Sequence, residues 1–280
     1  MKPVSALGIT RRFGDFTAVD GVDFEITSGE VVGLVGANGA GKTTLIRMIL
    51  GLLEPSEGSV RLFGRPPARD QRRRIGYVPQ NLGLYRDLTG AENLEFRADA
   101  FGSGRVSDAG GMEGLVGDMS LGTQRRTAFA AATQHNPELL VLDEPTSGVS
   151  PLSRTRLWNM IRERAEAGAA VLVSTHYMDE AEQADRLVLM SQGRVVAAGS
   201  LDEIVGDLTV VSVDADRWEH AFAALDTRGR LLSLAGTTVR VLGDSEDTVA
   251  GVLRAGSVEA ELATVPATLD EAMVLLDHEQ

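Results

Sequence analysis

The sequence predicts an α/β core followed by a smaller α+β domain, and three observations carry that prediction. The β-branched apolar run Val31–Val35 passes through a glycine-rich loop into a helical stretch at 45–50. A second apolar run, 139–142, ends on two adjacent carboxylates, Asp143 and Glu144. Beyond about residue 205 the elements change order to βαββαβ with a final helix. Continuous apolar runs of this length mark strands buried on both faces, as in parallel sheets, whose ligands bind beyond the carboxyl ends of the strands.

Composition narrows the possibilities. A chain of 280 residues suits one large domain, or a full domain with a small one attached. With 43% apolar and 24% charged residues it is ordinary globular material. No stretch approaches the ~18 uninterrupted apolar residues of a bilayer-spanning helix. The first residues lack the apolar core of a signal peptide, so a cytoplasmic chain is expected. The absence of cysteine excludes disulfides, thiol catalysis and thiolate zinc sites.

The net charge of −13 is unevenly spread. Residues 201–280 hold 16 acids and 5 arginines, against 24 acids and 22 basic residues before them. Neither part is basic overall, so no nucleic-acid partner is expected. Only Lys2 and Lys42 among 27 basic residues are lysines. A chain this biased toward arginine that still places lysine at 42 points to a site needing a compact charge on a flexible stem.

In chain order, the first strand supports that reading. Val31–Val35 leads into Gly36-Ala37-Asn38-Gly39-Ala40-Gly41-Lys42-Thr43-Thr44 and then a helix. Glycines let backbone N–H groups close around phosphate oxygens, and the helix N-terminus adds its partial positive charge. Lys42 can then reach the β- and γ-phosphates of a nucleotide while the Thr43 hydroxyl ligates Mg²⁺. Residues 82–97 contain a helical segment introduced by Thr89 and Glu92. Gly102, Gly104, Gly110, Gly111, Gly114 and Gly117 then predict a loop, since glycine costs ~1 kcal/mol per helical position. The strand at 139–142 delivers Asp143, suited to magnesium or its water shell, and Glu144, suited to polarising an attacking water. Another apolar strand, 170–173, leads to Ser174-Thr175-His176.

Together these motifs resemble the nucleotide-binding subunits of ABC transporters over about residues 4–205. The resemblance implies a P-loop ATPase core with antiparallel β and short helical subdomains, spanning 1–205, its helical subdomain at about 81–135. It adds Phe13 as the aromatic that stacks on adenine, Gln80 as the glutamine joining the magnesium site to the transmembrane subunit, and His176 as the histidine contacting the γ-phosphate. It makes Glu144, His176 and Lys42 catalytic, with ATP as ligand and Mg²⁺ held by Thr43, Gln80 and Asp143. It also implies a second ATPase subunit, an integral-membrane permease and a peripheral position on the inner face of the cell membrane.

Three departures stand out. The segment Met119-Ser120-Leu121-Gly122-Thr123 lies where the family signature Leu-Ser-Gly-Gly-Gln/Met belongs. Ser120 and Gly122 are retained for the partner's site, while Leu121 replaces a glycine and Thr123 the last position. Ser150 stands where relatives carry aspartate, and only 40 positions separate Gln80 from Ser120, short for the docking subdomain. The first two departures predict an asymmetric pair, in which this chain works best opposite a subunit with a normal signature.

The C-terminal domain, 206–280, is predicted to hold strands at 209–213, 231–234, 238–242 and 258–265, with helices at 218–225, 248–253 and 269–276. Trp218, Phe222 and Leu225 fall on one face of the first helix. The order is the ferredoxin-like split arrangement, and it resembles the accessory domain of daunorubicin-resistance-type exporters, implying an ABC-2-type exporter ATPase. The competing reading is a non-transport ABC ATPase acting on ribosomes or nucleic acid. A single ATPase unit and a net negative charge disfavour it.

Overall fold

The apolar runs become the centre of a parallel sheet in the computed structural model, which describes residues 2–102, 113–226 and 229–278. Two compact units divide the chain, Met1–Ala198 and Gly199–Gln280. Through residue 199 the elements are β1 (Val4–Phe13), β2 (Phe16–Ile26), β3 (Val31–Val35), α1 (Lys42–Ile49), β4 (Glu57–Leu62), β5 (Ile75–Val78), α2 (Gly90–Phe101), α3 (Leu121–Thr133), β6 (Leu139–Asp143), α4 (Pro151–Glu166), β7 (Ala170–Thr175), α5 (Met178–Ala181), β8 (Arg186–Ser191) and β9 (Arg194–Gly199).

Six strands form the main sheet in the order β5-β6-β7-β3-β8-β9, with the first five parallel. Every residue of β3, β6 and β7 is buried. Alternate residues of one strand feed two cores, which is why no polar position interrupts the run. On β6, Leu139 and Val141 join Leu45, Ile46 and Met48 of α1 and the antiparallel sheet β2-β1-β4. Leu140 and Leu142 face the other way, against Phe129 of α3 and Leu157, Trp158 and Ile161 of α4. Each such side chain contributes about 1.5–3 kcal/mol by leaving water. Register then sets the site. Val35 pairs with Thr175 and Asp143 with Ser174, so the ends of β3, β6 and β7 meet at one sheet edge.

In the helical subdomain, α2 starts at a reciprocal capping box between Thr89 and Glu92 and stops at Gly102 in the left-handed region. Of the glycines expected to form a loop, Gly104, Gly110 and Gly111 lie outside the described residues. Val116–Asp118, around Gly117, forms a short 3₁₀ turn.

The second unit contains α6 (Leu201–Val205), β10 (Thr209–Asp214), α7 (Trp218–Leu225), β11 (Leu231–Ala235), β12 (Thr238–Leu242), α8 (Glu246–Ala255), β13 (Glu261–Pro266) and α9 (Leu269–His278). Its sheet is antiparallel throughout, in the order β11-β12-β10-β13. Val211, Val213, Val239 and Val241 pack under α7 and α8 through Ala221, Leu225, Val249 and Leu253. Trp218 stays partly exposed, so the buried stripe of α7 is narrower than its spacing predicts. The helix α6, opened by a Ser200–Glu203 capping box, packs against α9 and so lies within this unit.

Candidate active site

The loop after β3 is shaped by glycines that serve different purposes. A Cβ at Gly36 would collide with the Met190 carbonyl oxygen, and one at Gly41 (φ 101°) with that of Ala18. Both therefore let the loop lie against its neighbours. Gly39 (φ 89°) has open space where its Cβ would stand, so there the backbone can be approached closely. Lys42 is buried, its Nζ donating to Gly36 O at 2.7 Å and Ala37 O at 3.0 Å. Burial pushes its pKa below the ordinary lysine value, while Glu144 and Asp143 pull it back up. The ammonium thus sits on two loop carbonyls.

A cavity of about 410 Å³ opens over this loop. Asn38, Gly39, Gly41, Lys42, Thr43 and Thr44 form one side, Gln80 and Glu144 one end, and Phe16 and Ala18 complete the lining. Asp143 is buried behind it. Its Oδ1 accepts from Ser174 Oγ at 2.6 Å and its Oδ2 from Thr43 Oγ1 at 3.1 Å. Glu144 adopts φ 50°, a left-handed conformation that ordinary side chains avoid. Its N–H reaches Ser174 O (3.2 Å) and Oγ (3.0 Å), which holds the turn. The carboxylate lies between two groups, accepting from Gln80 Nε2 at 3.2 Å and standing 3.6 Å from His176 Nδ1.

Behind the carboxylates, Arg125 of α3 donates to Glu144 O (2.8 Å) and Ser147 O (3.0 Å). Burial lowers its pKa, opposed by Glu144 and Glu180. Glu180 is 1% exposed. Its Oε2 accepts from Thr146 Oγ1 and from Thr175 Oγ1 (3.1 Å), and its Oε1 lies 2.9 Å from Arg154 Nε. The Tyr177 ring packs tilted against His176, their centres 4.1 Å apart, and the Arg154 guanidinium lies 5.0 Å from its centre.

The structure brings most of the predicted residues together. Asn38, Gly39, Gly41, Lys42, Thr43, Thr44, Gln80 and Glu144 line one cavity. Asp143 bonds Thr43, Gly36 and Ala37 hold Lys42 through their carbonyls, Ala40 is buried within the loop, and His176 stands beside Glu144. Phe13 is not among the lining residues. It is 47% exposed with the Arg11 guanidinium 4.6 Å from its ring centre, and its cross-strand partner Phe16 lines the cavity instead. Ser120 caps α3 by accepting from Thr123 N–H, away from this cavity's lining. A Cβ at Gly122 would lie 2.9 Å from Ser153 Oγ, and one at Gly148 3.0 Å from Leu121 Cδ2. Sequence reasoning missed Ser174, Arg125, Glu180 and Phe16. Only Ser174 had a signal, as the residue that parallel pairing sets opposite Asp143.

The family model described as ABC transporter matches residues 19–147. The daunorubicin resistance ATP-binding protein DrrA3 of Streptomyces coeruleorubidus is 36% identical over 304 aligned positions, covering 96% of this chain and 94% of DrrA3. The chain belongs to the ABC transporter ATP-binding proteins, a family of ATPases. Another ABC relative, the probable multidrug ABC transporter ATP-binding protein YbhF of Escherichia coli (strain K12), is 38% identical over 217 residues. That match covers 72% of this chain but only 38% of the length of YbhF. Among solved structures, the dimeric post-hydrolysis state of the ATP-binding cassette MJ0796 bound to ADP and Pi superposes with a TM-score of 0.64 at 25% identity, over 71% of this chain and 98% of that one. No helix among the described residues of this ABC ATPase is long and apolar enough to cross a membrane.

Proposed function

We propose that the chain is the ATP-hydrolysing subunit that powers a separate membrane permease, an ABC-2-type exporter of drugs, lipids or related compounds. The observation that carries the chemistry is the placement of Glu144. Its strained backbone aims a carboxylate, held between Gln80 and His176, into the cavity above the Lys42 loop. Glu144 orients or deprotonates the attacking water. His176 contacts the γ-phosphate, and Lys42 exchanges its two carbonyl partners for phosphate oxygens and stabilises the developing charge. Thr43 Oγ1 and Asp143 Oδ2, 3.1 Å apart, with the amide oxygen of Gln80, are the hard oxygen donors that suit Mg²⁺, which supplies charge neutralisation along the phosphates. Adenine stacks on the exposed aromatic hairpin that carries Phe13 and Phe16.

The wider reading follows the relatives. YbhF is named as a multidrug transporter protein and DrrA3 as a daunorubicin resistance protein, which supports export. The dimeric MJ0796 cassette supports a second ATPase subunit, whose site receives Ser120 and Gly122. The chain then works as a peripheral protein on the inner face of the cell membrane. The boundary between motor and accessory domain falls nearer residue 199 than the expected 205, because α6 packs with the second unit, and the strand order β11-β12-β10-β13 supports a ferredoxin-like fold for the latter.

The test uses Glu144→Gln, which holds ATP without hydrolysing it. Tagged protein extracted from membranes with mild detergent and ATP is expected to bring a multi-spanning protein identified by mass spectrometry. Recovery of ribosomal or nucleic-acid partners, or of nothing from the membrane, would overturn the transporter reading.

A further inference from the structure

The near-neutral balance of the first 200 residues conceals a local concentration of charge. Residues 61–74 carry Arg61, Arg65, Arg69, Arg72, Arg73 and Arg74 with one acid, Asp70, in a chain of net charge −13. The fold exposes all of these arginines except Arg74, which pairs with Glu138 and covers Phe63 at 3.6 Å. A bridge between Leu62 and Arg65 turns the chain back after β4, and a 3₁₀ segment, Asp70–Arg74, follows. Arg72 Nη2 reaches Gly51 O at 3.5 Å, beside exposed Leu52, whose N–H bonds the carbonyl of exposed Arg47. Among the described residues none of Arg47, Arg61, Arg65, Arg69, Arg72 or Arg73 forms an ion pair with a carboxylate. Of the acids bordering them, Glu57 and Glu138 are engaged by Arg12 and Arg74, leaving Asp70 and Glu54.

We propose that this surface binds the anionic phospholipid headgroups of the membrane that holds the permease. Guanidinium groups fork onto phosphate oxygens, and six that form no ion pair, bordered by only two unengaged carboxylates, complement a polyanion. Nucleic acid offers the same phosphates, but the segment suits it poorly. Its one aromatic, Phe63, lies under Arg74 and offers no stacking face for bases. Arg61 lies on β4, Arg65 on the turn after it, and Arg69, Arg72 and Arg73 at or in a five-residue 3₁₀ segment; Arg47 alone is on an α-helix, so no helix presents the set to a groove. Exposed Leu52 beside Arg72 adds an apolar contact suited to a bilayer interface. A lipid surface is laterally mobile and demands no fixed phosphate spacing. The choice of occupant rests on the transporter reading above.

The full chain is tested by co-sedimentation with vesicles of phosphatidylcholine alone and of equal parts phosphatidylcholine and phosphatidylglycerol. Binding is expected to the second and not the first, weakening as salt rises. Each arginine near such a surface strengthens binding about five-fold, so the quadruple variant Arg65→Gln, Arg69→Gln, Arg72→Gln, Arg73→Gln is expected to lose at least about a hundred-fold. Its ATP affinity, unchanged, shows that it is folded. Equal binding to both vesicles, or a variant that binds like the parent, overturns the proposal. So does tighter binding of a duplex or single-stranded oligonucleotide than of the anionic vesicles at the same salt, which assigns the surface to nucleic acid. A chain that recovers its permease yet ignores anionic vesicles loses this proposal alone. One that binds the vesicles but recovers no membrane protein loses the transporter reading instead.

Discussion

At the residue scale Gly41, Glu144 and Glu271 each set a property that a single substitution tests. Gly41 holds φ 101° against the Ala18 carbonyl, so a methyl group there must push the loop away from β2. Gly41→Ala is expected to weaken ATP binding by more than about a hundred-fold in nucleotide titrations, because the N–H groups around the phosphates are re-aimed. Glu144→Gln should leave that titration unchanged within about two-fold while phosphate release falls at least about a hundred-fold. In the second unit, Glu271 illustrates buried charge that is fully satisfied. Burial alone would raise its pKa, but bonds from Arg240 (2.6 and 2.9 Å), Ser233 Oγ (2.6 Å) and Thr268 N–H (2.8 Å) outweigh it and hold the carboxylate at about 2. A folded pKa below the unfolded value contributes stability above the unfolded pKa and loses it as pH falls toward the folded one. The stability difference between the parent and Glu271→Gln should therefore stay constant above about pH 5 and shrink between about pH 4.5 and 2 in thermal unfolding. A gap that persists unchanged to pH 2 would sink this account.

At the scale of elements, the four-residue helix α5 does more than connect β7 to β8. Through Glu180 it joins Thr146, which follows the carboxylates, to Thr175, which precedes His176, and to Arg154 of α4. Glu180→Gln keeps the shape but turns an amide toward a guanidinium. It is expected to lower the hydrolysis rate about ten-fold, with ATP affinity unchanged within about two-fold, because Glu144 and His176 lose their mutual alignment. A parallel loss of affinity would instead indicate general loosening. This helix also marks the limit of what the sequence reveals. Strands β3, β6 and β7 were readable because every position feeds one of two cores, which leaves an unbroken apolar run. The loop and the carboxylates were readable because their chemistry admits few residues in few orders. Glu180 and Arg125 were invisible, since Arg125 acts through partners 19 and 22 positions away, Glu180 links Thr175 to the distant Thr146 and Arg154, and neither sits in a periodic pattern. Phe16 was missed for a related reason. Which of two aromatics at a hairpin tip faces the cavity depends on strand twist and on the register shifts within β1, not on spacing.

Across the whole molecule, the departures from the family pattern lie on segments away from the chain's own cavity. Leu121 is 38% exposed and leans on Gly148, while Ser150 caps α4 by accepting from Ser153 N–H at 3.4 Å. Aspartate caps helices as well as serine does, so the pair Leu121→Gly and Ser150→Asp can be made without loss of fold. If the chain works best opposite a different subunit, that double variant should raise ATP turnover of the purified protein about ten-fold. An unchanged rate would mean that the substitutions are simply tolerated. The order β7-β3-β8 has a further consequence, for synthesis. The strand carrying the phosphate loop ends at residue 35, yet its two neighbours end at residues 175 and 191. A nascent chain of 140 residues has already released the loop into the cytosol with neither flank in place. ATP can stabilise the unit only once most of it has left the ribosome, which makes nucleotide a ligand of finished chains and leaves truncated ones for proteolysis.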